Sequence, residues 1–171
     1  MKNLLAIIIS ISLFSCKTGE NATDKKAVVK DSKVTFIELK SGHNSGFSQA
    51  VTKVIKSQEE FNEVWTVLFA NYMKKDETPE VDFENNVLVL VAAGEKNSGG
   101  YNIKVSKAVS MANKTHVTII ASGPGKNCVT TEAITYPYQL VQFEKTGQEF
   151  IFDTLEKLID CPCLLYTSPS P

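Results

Sequence analysis

Apolar and polar positions follow one another along this chain in blocks that predict a single mixed α and β domain. Val34–Lys40, VTFIELK, leans apolar at Val34, Phe36 and Leu39, which predicts a strand. Ser41–Phe47, SGHNSGF, has the composition of a turn-rich loop, and Gln49–Ile55 predicts a second strand. The period then changes. Phe61, Val64, Trp65, Leu68, Phe69 and Tyr72 recur at three- and four-residue spacing, so Ser57–Tyr72 predicts an amphipathic helix with the only tryptophan on its buried face. Ser57 and Glu60 have the spacing of a capping box, and Lys74–Pro79 supplies charges and a proline to end the helix.

Val87–Ala92, VLVLVA, is apolar without a break, as a central strand buried on both faces would be. Gly94–Gly100, GEKNSGG, reads as a tight connection, so Tyr101–Val105 is expected to fold back on it as a hairpin. Lys107–Asn113 is left as a loop or a continued strand, and His116–Ala121 predicts a strand that ends at Gly123-Pro124-Gly125. Cys128–Ile134, rich in threonine and apolar residues, is expected to be β, and Thr135-Tyr136-Pro137-Tyr138 to bend the chain. An aromatic residue before proline favours a cis bond there. Leu140–Phe143 and Phe150–Phe152 complete the strands. The fold class expected is α+β: a mostly antiparallel sheet of six to eight strands with one principal amphipathic helix.

The two ends read differently from the domain. Lys2 followed by an apolar run from Leu4 to Phe14 is about half the ~20 residues that a membrane-crossing helix needs, so it predicts an export signal. Leu13-Phe14-Ser15-Cys16 resembles a bacterial lipobox, which makes residues 1–16 a lipoprotein signal peptide and Cys16 the lipid attachment site. The expected membrane partner is reached through that lipid, in the bacterial cell envelope, on the periplasmic face or the cell surface. Residues 17–33 are polar and charged and read as a flexible linker. The domain is expected over 34–155 and a tail over 156–171. Within that tail, Cys163–Pro171, CLLYTSPSP, matches the in-frame translation of a sequencing-library adapter and is set aside from the fold.

Charge and cysteines narrow the function classes. The net charge is −1 and none of the 18 basic residues is arginine. Without a basic field or the bidentate guanidinium fork, nucleic acid is not an expected partner. Four cysteines in an exported chain suggest disulfides, but with Cys16 lipidated and Cys163 set aside only Cys128 and Cys161 remain. The expected state of Cys128 is a buried free thiol, with a Cys128–Cys161 bridge as the alternative.

No established catalytic motif fits. Around His43 and Ser45 the nucleophile-elbow pattern fails, because Asn44 stands where it needs serine. At Gly123–Lys126 a phosphate loop fails at Ile120 and Asn127. The histidines at 43 and 116 do not cluster with other metal-binding residues, so no metal and no cofactor is expected. A Cys128 nucleophile activated by His116 across a hairpin is the remaining enzymatic alternative.

Several separated motifs in order resemble the PrcB family. They are the helix around Glu60–Trp65, Val81-Asp82-Phe83, Gly99-Gly100-Tyr101, Gly123-Pro124-Gly125 through Cys128-Val129-Thr130, and Thr135-Tyr136-Pro137-Tyr138 with Val141. The resemblance spans about residues 49–153. It implies an exported, often lipidated protein without catalytic residues that associates with and stabilises a membrane-anchored protease complex. The expected function is therefore a non-enzymatic, lipid-anchored envelope protein that binds a partner protein. Tyr101, Tyr136, Tyr138 and His43 are the expected partner-binding residues, since tyrosine is favoured at protein contacts. The alternative is a lipoprotein that binds envelope glycan or a small ligand, with Tyr101 and Tyr138 as stacking surfaces.

Overall fold

The computed structural model describes residues 32–74 and 77–161. The expectations for the signal peptide, for lipidation at Cys16, for most of the linker and for the adapter-like segment lie outside these residues. Among the described residues eight strands and one helix follow in the order β1 Ser32–Lys33, β2 Phe36–Gly42, β3 Ala50–Ile55, α1 Gln58–Leu68, β4 Asn86–Ala93, β5 Asn102–Met111, β6 Lys114–Pro124, β7 Tyr138–Glu144 and β8 Glu149–Ile159. This is the α+β class expected. The strands form two sheets of four, ordered β1-β5-β6-β8 and β2-β7-β4-β3. Every pairing is antiparallel except β6 with β8.

The unbroken apolar run organises the packing. Val87, Val89 and Val91 face the first sheet and join Val105, Val117, Ile119, Val141 and Phe143 in one core. Leu88, Leu90 and Ala92 face the other way, onto Phe61, Val64, Trp65 and Leu68 of α1, in a second core. The molecule thus has three layers: helix, second sheet, first sheet. Because β4 already has β3 on one side and β7 on the other, it has no edge left for β5. The hairpin expected between them does not form. Residues 94–101 instead carry the chain from one sheet to the other, with Gly94 and Gly100 at positive φ.

The hairpin that does form joins β5 to β6. Lys107–Met111 continues the strand, and Ala112 and Asn113, both at positive φ, make its two-residue turn. Cys128–Ile134 is not a strand. Its Val129 and Ile134 are exposed, and β6, the strand that precedes it, already has β5 and β8 as its neighbours, so no edge of that strand is open to it. All described peptide bonds are trans, including the one before Pro137.

Helix α1 starts as its capping box predicts. Glu60 N–H donates to Ser57 Oγ at 3.2 Å, while Glu60 Oε2 reaches back to Lys56 N–H at 2.8 Å. It ends at Leu68, earlier than Tyr72, because the chain tightens through Ala70 N–H to Val67 O and Tyr72 N–H to Phe69 O. The Asn71 amide then donates to the Ser45 carbonyl at 2.7 Å and ties this end to the 41–47 loop. Gly46 makes the approach feasible: a Cβ there would stand 2.2 Å from the Val67 carbonyl oxygen. At the other end of the chain, β8 runs to Ile159, past the expected boundary at 155.

Candidate functional site

Strand alternation sets which side chains look into the space between the sheets. Along β8 the inward series is Phe150, Phe152, Thr154, Glu156 and Leu158, paired with Thr115, Val117, Ile119, Ala121 and Gly123 of β6. The first members meet large residues and are packed. From Thr154 onward the facing positions are small, Ala121 and Gly123 on β6 with Ala50 and Ala93 on the second sheet, and the layers no longer touch. The result is a cleft of about 640 Å³, also lined by Thr52, Lys96, Tyr101 and Ile103. Small residues create it, so its walls are mostly apolar, with Thr52, Ser122 and Thr154 among them, and its mouth carries Lys96, Glu156 and Lys157.

Tyr101 closes one end. Its ring lies across Gly123, where a Cβ would come within 2.8 Å of the ring, so only glycine lets the ring rest there. Lys96 Nζ sits 5.7 Å from the Tyr101 ring centroid, within cation–π range. Lys96 is itself fixed by backbone pairing with Thr135: Lys96 N–H donates to Thr135 O at 2.8 Å and Thr135 N–H to Lys96 O at 2.9 Å. The Tyr-Pro-Tyr corner thereby supports the cleft from behind.

The other expected partner-binding residues divide. Tyr136 is half-buried and donates its hydroxyl to Glu95 at 2.9 Å, which raises its ionisation above that of free tyrosine. Its N–H donates to the His43 carbonyl at 2.7 Å, leaving the His43 side chain exposed. Tyr136 and His43 therefore share a surface with each other, supported by Glu95. Tyr138 does not belong there. It is 1% exposed and packs against α1's core. Burial first, then its contact with the Tyr72 hydroxyl, push its ionisation far up. As a surface anchor or a stacking platform it is ruled out.

Cys128 is not a free thiol. It is bonded to Cys161, the alternative pairing, with the two Cα atoms 5.1 Å apart. His116 lies eight strand residues from Pro124, the end of β6 nearest Cys128, or roughly 26 Å along the strand. The thiol–imidazole pair therefore does not exist. Among the described residues no group of three His, Cys, Asp or Glu side chains could hold a metal ion.

Sequence reading missed Gln139 altogether. This buried side chain accepts from Val105 N–H at 2.7 Å and donates to Glu38 Oε2, joining a bulge in β5 to a bulge in β2. Hydrogen bonds from Ser41 and then Gln139 hold the Glu38 carboxyl below its ordinary value. A polar residue inside an apolar strand was the only signal available.

Residues 87–144, β4 through β7, match the model of the PrcB C-terminal family. The resemblance carried by the motifs is borne out over this stretch, which contains Gly99–Tyr101, Gly123–Thr130 and Thr135–Tyr138. No curated protein and no solved structure matches the chain.

Proposed function

We propose that this protein is a lipid-anchored envelope subunit that binds a protease complex and stabilises or helps assemble it, with the cleft between the sheets as its contact site. The family match is the observation that carries the reading, since it covers the strands that build most of the cleft. The polarity of the fold supports it. The described chain enters at β1, paired with Val109 and Ser110 of β5, whereas the cleft opens by Ile103, seven residues or roughly 23 Å further along that strand. A tether at Cys16 would leave the cleft at the far end of the domain from the point of attachment. Mostly apolar walls with a tyrosine, a lysine pair and one glutamate at the mouth suit a protein segment with apolar side chains and a polar backbone.

The test is capture of the native protein from its own membranes in mild detergent, followed by mass spectrometry. A stoichiometric partner with protease sequence signatures supports the proposal. Recovery of the protein alone, after cross-linking and at matched yield, overturns it. A competing role in binding glycan or a small ligand draws on the same cleft and on Tyr101. It predicts that soluble envelope glycan, rather than a protein, quenches the protein's tyrosine fluorescence.

A further inference from the structure

Strand β8 is the last strand of the first sheet, and no described strand pairs with its second edge. Leu155, Leu158 and Ile159 are 56%, 69% and 48% exposed on it. A long open edge with exposed leucines is a template for another strand unless charges blunt it. The charges here are arranged in a particular way. Alternation puts Ile151, Asp153, Leu155, Lys157 and Ile159 on the outer face. From either end this row reads isoleucine, charge, leucine, opposite charge, isoleucine.

We propose that β8 pairs antiparallel with β8 of a second copy of this chain, about a two-fold axis through Leu155. In that register Leu155 faces its own copy, each Asp153 faces Lys157 of the second copy, and each Ile151 faces Ile159 of the second copy. On the inner face Phe152 covers the exposed Leu158 of the second copy and Thr154 stands opposite Glu156. Sliding one strand by two residues in either direction breaks both Asp153–Lys157 pairs, and sliding it by four places Asp153 on Asp153 or Lys157 on Lys157, so the charges select the register. The backbone agrees. Ile159 turns its carbonyl inward to Gly125 N–H, so the even-numbered residues of β8 turn their N–H and C=O groups outward. The pairs formed by 152 with 158 and 154 with 156 then exchange on the order of eight hydrogen bonds, while Leu155 falls at a non-hydrogen-bonded position with Cα atoms about 4.5 Å apart.

A consequence concerns the cleft. Thr154, Glu156 and Leu158 form its β8 wall, and in the pair this wall continues into that of the second copy. Two clefts then open side by side across the axis. This interface does not depend on the identity of any other partner.

Disulfide trapping in the full chain tests the pairing. Leu155→Cys should give a covalent dimer on mild oxidation, with the 155–155 link identified by peptide mapping, because the spacing at the axis falls within disulfide geometry. Lys157→Cys should not, since its copy lies four residues away along the strand. Asp153→Lys sets lysine against lysine twice and should weaken the dimer by about tenfold. The swap Asp153→Lys/Lys157→Asp should restore it. A chain that stays monomeric up to its solubility limit overturns the proposal. So does cross-linking of Lys157→Cys as readily as Leu155→Cys, or a charge swap that fails to rescue.

Discussion

Replacing both bridged cysteines, Cys128→Ser/Cys161→Ser, separates what the disulfide holds from what packing holds. The bond closes a loop with a sequence separation of 33 residues, for which the chain-entropy relation gives about 4 kcal/mol of destabilisation of the unfolded state. Native packing offers little to replace it at this end. From Asp153 to Cys161 every residue of the chain is exposed. What remains is the parallel ladder to β6 and the Gly125 N–H bond to the Ile159 carbonyl at 2.9 Å. The expected loss is therefore ~2–4 kcal/mol, the range for a native bridge in a small exported domain. Trp65, 7% exposed in the helix-side core, reports global unfolding in urea by its fluorescence. The variant should unfold at a lower midpoint, and the wild type in excess dithiol reductant should follow the same curve. Amides of residues 153–159 should lose protection before the core does. If the oxidised wild type, the reduced wild type and the variant share one midpoint, the bond does not constrain this fold and the reasoning fails.

Three further outcomes are expected. Trp65→Ala should cost ~3–5 kcal/mol in urea unfolding, because the indole packs against Phe61 and Phe69 at 5.4 and 4.5 Å. A loss under 1 kcal/mol would mean that the helix does not carry the core. Gln139→Leu should destabilise by ~1–3 kcal/mol, since Val105 N–H would be left buried without an acceptor; unchanged stability would show that water reaches it. Glu38 has a lowered folded-state pKa, so its contribution is present above the ordinary glutamate value and is lost as pH falls through the lowered value. Glu38→Gln should flatten stability across that acidic window and leave the difference constant at neutral pH, which thermal melts from pH 3 to 7 would read.

How much of this was legible in the residues depended on whether a segment's partners were local. The capping box at Ser57 and Glu60 and the buried run of β4 are local patterns, and both appear as expected. The pairing of β4 with β5 failed because turn chemistry at Gly94 and Gly100 permits a hairpin but says nothing about which edges are already taken. The threonine-rich stretch 128–134 failed for a related reason: β propensity measures fit to a half-buried face, and both edges of β6, the strand that leads into it, are already taken. At the site, Tyr101 was singled out by its motif, but the cleft beside it was not. It arises from what is missing, the small side chains at Ala50, Ala93, Ala121 and Gly123, which lie far apart in the chain. Tyr138 was misplaced because the same alternation that puts Leu140 inward puts Tyr138 inward with it.

The account rests most on the cleft as the place where a protein partner docks. Ala50 is exposed on the rim, so Ala50→Trp fills the opening from an edge strand without entering either core. Wild type and Ala50→Trp should be captured side by side from native membranes, and the stoichiometry of the protease-like partner measured in each. The account predicts a stoichiometric partner with the wild type and its loss with the filled cleft, at unchanged melting temperature. Equal capture by both proteins would contradict it.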